Sequence, residues 1–336
     1  MRLQEAVSLR PFNTFAIDVK AKLFSAFDSE SALKQLLAAY PNENKCILGG
    51  GSNILFTKNF DGLCLKNEIR GITVIREDEN FYYIKAAAGE QWHHFVLHCI
   101  ENNYAGVENL SLIPGCVGAS PMQNVGAYGV EIKDVFYALE ALHIKDMTPR
   151  IFNKEDCRFG YRESIFKREL KGQYIILNVT YRLRKKPIFH LDYGALEAAL
   201  EQMQVATPTI AAVSQAVIQI RESKLPDPAK IGNAGSFFKN PTIETQQFNK
   251  LKESFPKIVG YPSKDDQTKI AAGWLIEACG WKGYRKQDYG VHQHQALVLV
   301  NYAHATGREI YALSEQIIES VFQKFGITLE REVNII

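Results

Sequence analysis

Leu33, Leu36, Leu37 and Tyr40 fall at i, i+3, i+4 and i+7, with Ser29 placed to cap a first turn and Pro41 to stop the last, so the spacing predicts a helix over residues 29–40. The period then changes. An apolar run at 45–48 opens into Gly49-Gly50-Gly51-Ser52-Asn53 and closes on Ile54-Leu55-Phe56, which reads as strand, glycine loop and apolar segment. Short β-rich runs at 63–65, 72–75 and 81–87 come next as strands. Trp92, Phe95, Val96 and Cys99 then share one face of a helix over about 91–102.

Residues 111–129 break the pattern, because Ser111-Leu112-Ile113-Pro114-Gly115-Cys116-Val117-Gly118-Ala119-Ser120-Pro121-Met122-Gln123-Asn124-Val125-Gly126-Ala127-Tyr128-Gly129 holds too much Gly and Pro for a helix or a central strand. Loops of that length inside a domain usually carry function. Strands at 135–143 and 174–182 bracket Phe159-Gly160-Tyr161-Arg162-Glu163-Ser164, and helices at 193–201 and 210–220 lead to Lys224-Leu225-Pro226-Asp227-Pro228, a natural break. Beyond it the pattern predicts helices at 244–252, 269–278 and 307–325, a strand at 296–301 and a last strand from 328. The mixture is α+β, with a domain boundary near 225 and no internal repeat.

Composition narrows the classes. Of 336 residues 46% are hydrophobic and 23% charged, an ordinary globular balance with room for two or three domains. Basic side chains number 39 against 37 acidic, and no block of like charge appears, so a nucleic-acid footprint is missing. Residues 1–7 lack the apolar core of a signal peptide, and no run approaches the length of a membrane span, which gives a cytoplasmic reading without a membrane partner. Cys46, Cys64, Cys99, Cys116, Cys157 and Cys279 are dispersed without a CxxC pair and read as reduced core residues.

Candidate chemistry centres on Asn233-Ala234-Gly235-Ser236-Phe237-Phe238-Lys239-Asn240-Pro241. Small residues that tolerate positive φ precede one hydroxyl, and two aromatics directly after it can anchor the segment, so Ser236 sits either on a mount for a reactive group or in a plain turn or helix cap. Gly49-Gly50-Gly51-Ser52-Asn53-Ile54 lacks the third glycine of a dinucleotide fingerprint, yet its bare N–H groups suit a pyrophosphate as well as they suit a simple turn. His94 and His98 are one helical turn apart but lack a third ligand, so no metal site is expected, and His292 and His294 read as solvated. No GxSxG elbow surrounds any serine. Lys224 reads as a solvated helix end or a cation aimed at the Ser236 segment, and Glu332 alternates with apolar neighbours on the last strand, leaving its direction open.

Taken in order, GGGSN, IPGCVGASPMQNVGAYG, FGYRESIFK, RESKLPDP with GNAGSFFKNP, and the terminal LEREV resemble the UDP-N-acetylenolpyruvoylglucosamine reductase family over nearly the whole chain. Val259-Gly260-Tyr261-Pro262 and AAGWLIEACGWKG resemble its longer, type I branch. The resemblance implies a vanillyl-alcohol oxidase-like α+β fold, with FAD-binding subdomains over 1–70 and 71–225, a substrate-binding domain over 226–325, and a terminal strand at 326–336 returning to the second subdomain. It implies a monomer that uses noncovalent FAD and NADPH to reduce UDP-N-acetylglucosamine enolpyruvate to UDP-N-acetylmuramate for peptidoglycan. Matched by position, Arg162, Ser236 and Glu332 are catalytic, with Ser236 the proton donor. Tyr193, Lys224, Asn240, Tyr261, Lys282, Tyr128 and Gln295 match substrate-binding positions. Cofactor contacts fall on Gly49, Gly50, Gly51, Ser52, Asn53, Pro114, Gly115, Gly118, Ala119, Ser120, Gly126 and Tyr128.

Two other classes remain open at this point. An oxygen-using flavin oxidase on the same fold would reoxidise rapidly in air and ignore the enolpyruvyl sugar nucleotide. A silent nucleotide-binding module would not need Arg162, Ser236 and Glu332 together.

Overall fold

A computed structural model describes residues 3–192 and 194–336. The chain forms two units: residues 1–7, 21–50 and 61–223 make the first, and 8–20, 51–60 and 224–336 the second. The helix Glu30–Ala39 of unit one shows how local signals suffice. Ser29 accepts a hydrogen bond from the Ala32 N–H at its N-cap, and Leu33, Leu36 and Leu37 are buried. Burying each leucine contributes about 2 kcal/mol. These leucines pack on a sheet in which Lys45–Leu48 runs parallel to Phe60–Asn67, so the strand ends directly at the glycine loop.

The larger sheet of unit one is antiparallel and has five strands, in the order Pro149–Asn153, Phe136–His143, Tyr174–Arg184, Phe81–Ala87, Ile72–Glu77. Tyr174–Arg184 lies at its centre, and its side chains pack with the buried face of the helix Trp92–Glu101. Trp92, Phe95 and Tyr181 meet edge-on or tilted at 4.8–5.8 Å between ring centroids. Two further helices, Gly194–Gln202 and Ile210–Lys224, pack through Leu196, Leu200, Val213, Val217 and Ile220.

In unit two a four-stranded antiparallel sheet runs in the order Gly232–Ser236, Val298–Asn301, Tyr289–Val291, Arg285–Lys286. A separate three-stranded sheet joins Thr242–Glu244, Gln267–Ile270 and Gly260–Pro262. The helix Gly307–Phe325 begins on a capping box between Thr306 and Glu309 and ends on left-handed Gly326.

Several expectations need correction. The segment over 232–236 is a strand rather than a turn, with a register shift between Asn233 and Ser236; only Gly235 takes positive φ (+69°), and Asn233 instead accepts a hydrogen bond from the Gly235 N–H. The terminal strand reduces to Asn334–Ile335, which pairs in parallel with Ile54–Leu55 inside unit two, not with residues 71–225. His292 is buried, because its strand end turns back to donate from its N–H to the Val298 carbonyl. Burial, and then His294 beside it, hold its pKa below the ordinary value.

Candidate functional site

Unit one contributes two glycine-bearing loops. A Cβ on Gly50 would lie 2.7 Å from the Gly115 Cα, so the loop after Lys45–Leu48 and the loop over 111–129 touch backbone to backbone. Among the described residues the N–H groups of Gly50 and Gly115 find no protein acceptor. Unspent donors in a cradle too narrow for a side chain suit a phosphate-bearing ligand. Gly118 packs equally closely, on Ala88, while Ser120 is buried and its hydroxyl is hydrogen-bonded to Tyr181, so its side chain serves the interior. Pro114 and Ala119 lie along the same loop, both exposed.

If the cradle holds the FAD that the sequence motifs imply, Gly50→Ala is expected to weaken its retention by about 1–3 kcal/mol, the usual cost of overpacking, because neither backbone can yield without moving its loop. Fluorescence titration of FAD into stripped protein reads this, and unchanged affinity would mean that the cradle does not hold the cofactor.

Arg162 occupies a two-residue turn closed by reciprocal backbone bonds, Gly160 N–H to Glu163 O at 3.0 Å and Glu163 N–H to Gly160 O at 3.3 Å. Its φ is +55°, a left-handed conformation that costs a side-chain-bearing residue about 1–2 kcal/mol. Such strain persists only where surrounding structure enforces it. Here the guanidinium is tied down as well, donating to the Gly126 carbonyl at 2.6 Å and lying 5.3 Å from the Tyr161 ring centroid. Tyr128 also has positive φ (+48°), and its carbonyl accepts from Asn109.

Arg221 escaped the sequence reading. Burial lowers its pKa, opposed by the adjacent Tyr128 hydroxyl, and its Nε donates to the Leu112 carbonyl at 3.2 Å. Its sequence signals are a cation inside an otherwise amphipathic helix and its place at the head of RESKLPDP.

Unit two gathers a second set. Ser236 is half-buried at the end of Gly232–Ser236, just beyond left-handed Gly235, and among the described residues nothing hydrogen-bonds its hydroxyl. The neighbouring Phe237, fully buried, fastens this strand end by donating its N–H to the Leu297 carbonyl at 2.8 Å. The Glu332 N–H donates to the Phe237 carbonyl at 2.8 Å, and its own carbonyl accepts from Asn53 Nδ2 at 3.3 Å, so the backbone of Glu332 is pinned beside the Ser236 strand. Gln295 joins through Leu297, whose N–H it accepts at 3.4 Å.

Asn240 accepts the Ala272 N–H at the start of Ala272–Ala278, which leaves its amide NH2 to donate. Gly51, Ser52 and Asn53 also belong to unit two, where the Gly51 carbonyl accepts from Thr14. Lys224 is exposed at the end of its helix; Lys282 pairs with Glu277 at 3.0 Å; Tyr261 is 53% exposed on Gly260–Pro262. Tyr193 lies outside the described residues. Among the described residues no cluster of His, Cys, Asp or Glu could hold a metal, no cysteine is bridged, and no helix is long and apolar enough to cross a membrane.

The fold is that of an FAD-binding α+β oxidoreductase, and residues 21–146 match the FAD binding domain family. Residues 227–336 match the family described as UDP-N-acetylenolpyruvoylglucosamine reductase, C-terminal domain. Reductases of that name from Amoebophilus asiaticus and Flavobacterium johnsoniae are 52% and 48% identical to the chain, each covering all of it and being covered completely. The crystal structure of the reductase from Thermus caldophilus superposes with a TM-score of 0.70 at 21% identity, covering 100% of this chain and 99% of that one, and so shows the shared fold. The chain belongs to the UDP-N-acetylenolpyruvoylglucosamine reductase family, flavin oxidoreductases of peptidoglycan precursor synthesis.

Proposed function

We propose that this protein reduces UDP-N-acetylglucosamine enolpyruvate to UDP-N-acetylmuramate at the expense of NADPH, acting as a cytoplasmic monomer. The observation that carries the reading is Ser236: a half-buried hydroxyl without a hydrogen-bond partner among the described residues, at a strand end fixed by Phe237 and by the backbone of Glu332. Residues 1–70 and 71–225, read as two flavin-binding subdomains, hold FAD through Gly49, Gly50, Gly51, Ser52, Asn53, Pro114, Gly115, Gly118, Ala119, Ser120, Gly126 and Tyr128. Residues 226–325 bind the substrate. Bound FAD supplies the two-electron relay from NADPH to the β-carbon of the enolpyruvyl group.

The protein's own groups manage charge and proton. An enol ether accepts hydride poorly, so the enolate-like charge that develops beside its carboxylate needs a fixed cation, and Arg162 fills that role. The α-carbon then takes a proton from the Ser236 Oγ, and Glu332 supports that donation by holding or polarising the region. Lys224, Lys282, Tyr193, Tyr261, Tyr128, Asn240 and Gln295 bind the diphosphate, nucleotide and sugar, which focused charge accomplishes in a protein of net charge +2.

NADPH consumption under anaerobic conditions, with and without the enolpyruvyl sugar nucleotide, tests the whole reading. Sustained consumption only with that substrate supports it; consumption that requires oxygen instead would make the protein an oxidase, and none at all a silent binder.

Tyr261 gives a narrower test. It lies on an outer strand of the small sheet, opposite Lys269, and Gly260 beside it packs so tightly on Phe248 that a Cβ would come within 2.5 Å of the ring. The strand is therefore anchored while the tyrosine faces outward. Tyr261→Phe is expected to raise the substrate KM by about tenfold, the worth of one good hydrogen bond, and to leave flavin reduction by NADPH unchanged. Equal damage to both steps would count against a substrate role.

A further inference from the structure

We infer that Asn124 is a positioning residue for Arg162, an inference that rests on the catalytic reading of that arginine. Asn124 is fully buried in the loop over 111–129 and takes a φ of +44°. Its Nδ2 donates to the Gly160 carbonyl at 2.9 Å and to Glu131 Oε2 at 3.1 Å, while its Oδ1 accepts the Lys133 N–H at 3.0 Å. Both amide hydrogens and the amide oxygen of the side chain are thus engaged inside unit one, so it acts on a ligand only through the groups it holds.

Those groups place Arg162 at both ends. Gly160 opens the turn that keeps Arg162 left-handed, and the Asn124 amide clamps that turn by the same carbonyl that closes it. The guanidinium is fixed by the Gly126 carbonyl, two residues after Asn124, on a strand segment that pairs with Glu131, the other partner of the amide. One side chain therefore sets the turn beneath Arg162 and the strand under its guanidinium.

The residue type is dictated by the geometry. Asparagine tolerates positive φ and offers two donors and an acceptor on a short stem. Aspartate has nearly the same shape but cannot donate when ionised, and it would place a second carboxylate against Glu131. Alanine offers nothing, and glutamine adds a methylene to a fully buried site. An arginine displaced by about an ångström loses on the order of a hundredfold in rate while binding and fold survive.

Stopped-flow absorbance of the flavin, recorded anaerobically, separates reduction by NADPH from reoxidation by the enolpyruvyl sugar nucleotide, and Asn124→Gly removes the amide while keeping the backbone at ease. We expect reoxidation to slow by about 30- to 100-fold with reduction held within about threefold, and, in an Arg162→Met background, a further loss of less than about threefold. Equal slowing of both steps, or a full additional loss in the Arg162→Met background, would show that Asn124 only supports the fold. Should the glycine variant fail to fold, Asn124→Asp takes its place under the same criteria. If Arg162→Met alone reoxidises at the wild-type rate, the catalytic reading of Arg162 falls and this inference falls with it. A slow Arg162→Met beside an unselective Asn124 variant overturns the inference alone.

Discussion

Ser236→Ala should leave reduction of the flavin by NADPH within about tenfold of wild type, a barrier change of roughly 1.4 kcal/mol, because that step requires no proton from the protein. Reoxidation by the enolpyruvyl substrate should fall by about 10² to 10⁴, the usual loss on removing a positioned general acid. The structure makes alanine a clean probe. Ser236 Oγ has no partner among the described residues, so its removal strands no buried donor or acceptor, and the strand end keeps the backbone bonds of Phe237 to Leu297 and Glu332. Stopped-flow traces of flavin absorbance report the two steps separately. A variant slowed equally in both, or reoxidised at the wild-type rate, would make Ser236 a structural residue of a bulged strand.

Arg162→Met should cost about 10² to 10³ in the reoxidation step, the range seen when one donor to a developing oxyanion is deleted. Methionine keeps the apolar part of the stem and suffers the same positive φ, so the strain of the turn is common to both proteins and the comparison isolates the charge. The Gly126 carbonyl loses one hydrogen bond, worth about 1 kcal/mol of stability, which thermal unfolding of the FAD-loaded protein would register separately. Reoxidation within about threefold of wild type would sink the assignment, whatever the stability. An unaltered first step is part of the same expectation, since nothing in the NADPH reaction develops charge on a substrate carboxylate.

Both predictions concern residues visible in the sequence as types at particular positions, but the conformations that give them force were not visible. Ser236 was found because small residues and two phenylalanines surround it. The expected turn is instead a strand, since residues 232–236 find a partner at 298–301, and pairing between segments so far apart in the chain overrides the local preference of Asn and Gly. His292 went wrong for a related reason: alternation with His294 suggests two solvated rings, whereas the turn back to Val298 buries one of them. The strain at Arg162 could not be foreseen at all, because arginine is an uncommon occupant of a left-handed turn and nothing beside it announces positive φ.

By itself the sequence determined whatever depends on neighbours within a turn or two, together with the features its ordered motifs share with a family. The helices Glu30–Ala39 and Gly307–Phe325 were legible to within a residue or two because their caps and apolar stripes are local. The glycine loops and the α+β class were legible for the same reason. Tertiary structure decided the rest: that Gly50 meets Gly115, that Asn53 and Phe237 pin the backbone of Glu332, that the last strand joins Ile54–Leu55, and that Asn124 reaches the turn of Arg162. Each of these joins segments far apart in the chain. Hydrogen bonds and close packing are short-ranged in space but indifferent to separation along the chain, so only the folded backbone selects which distant groups meet.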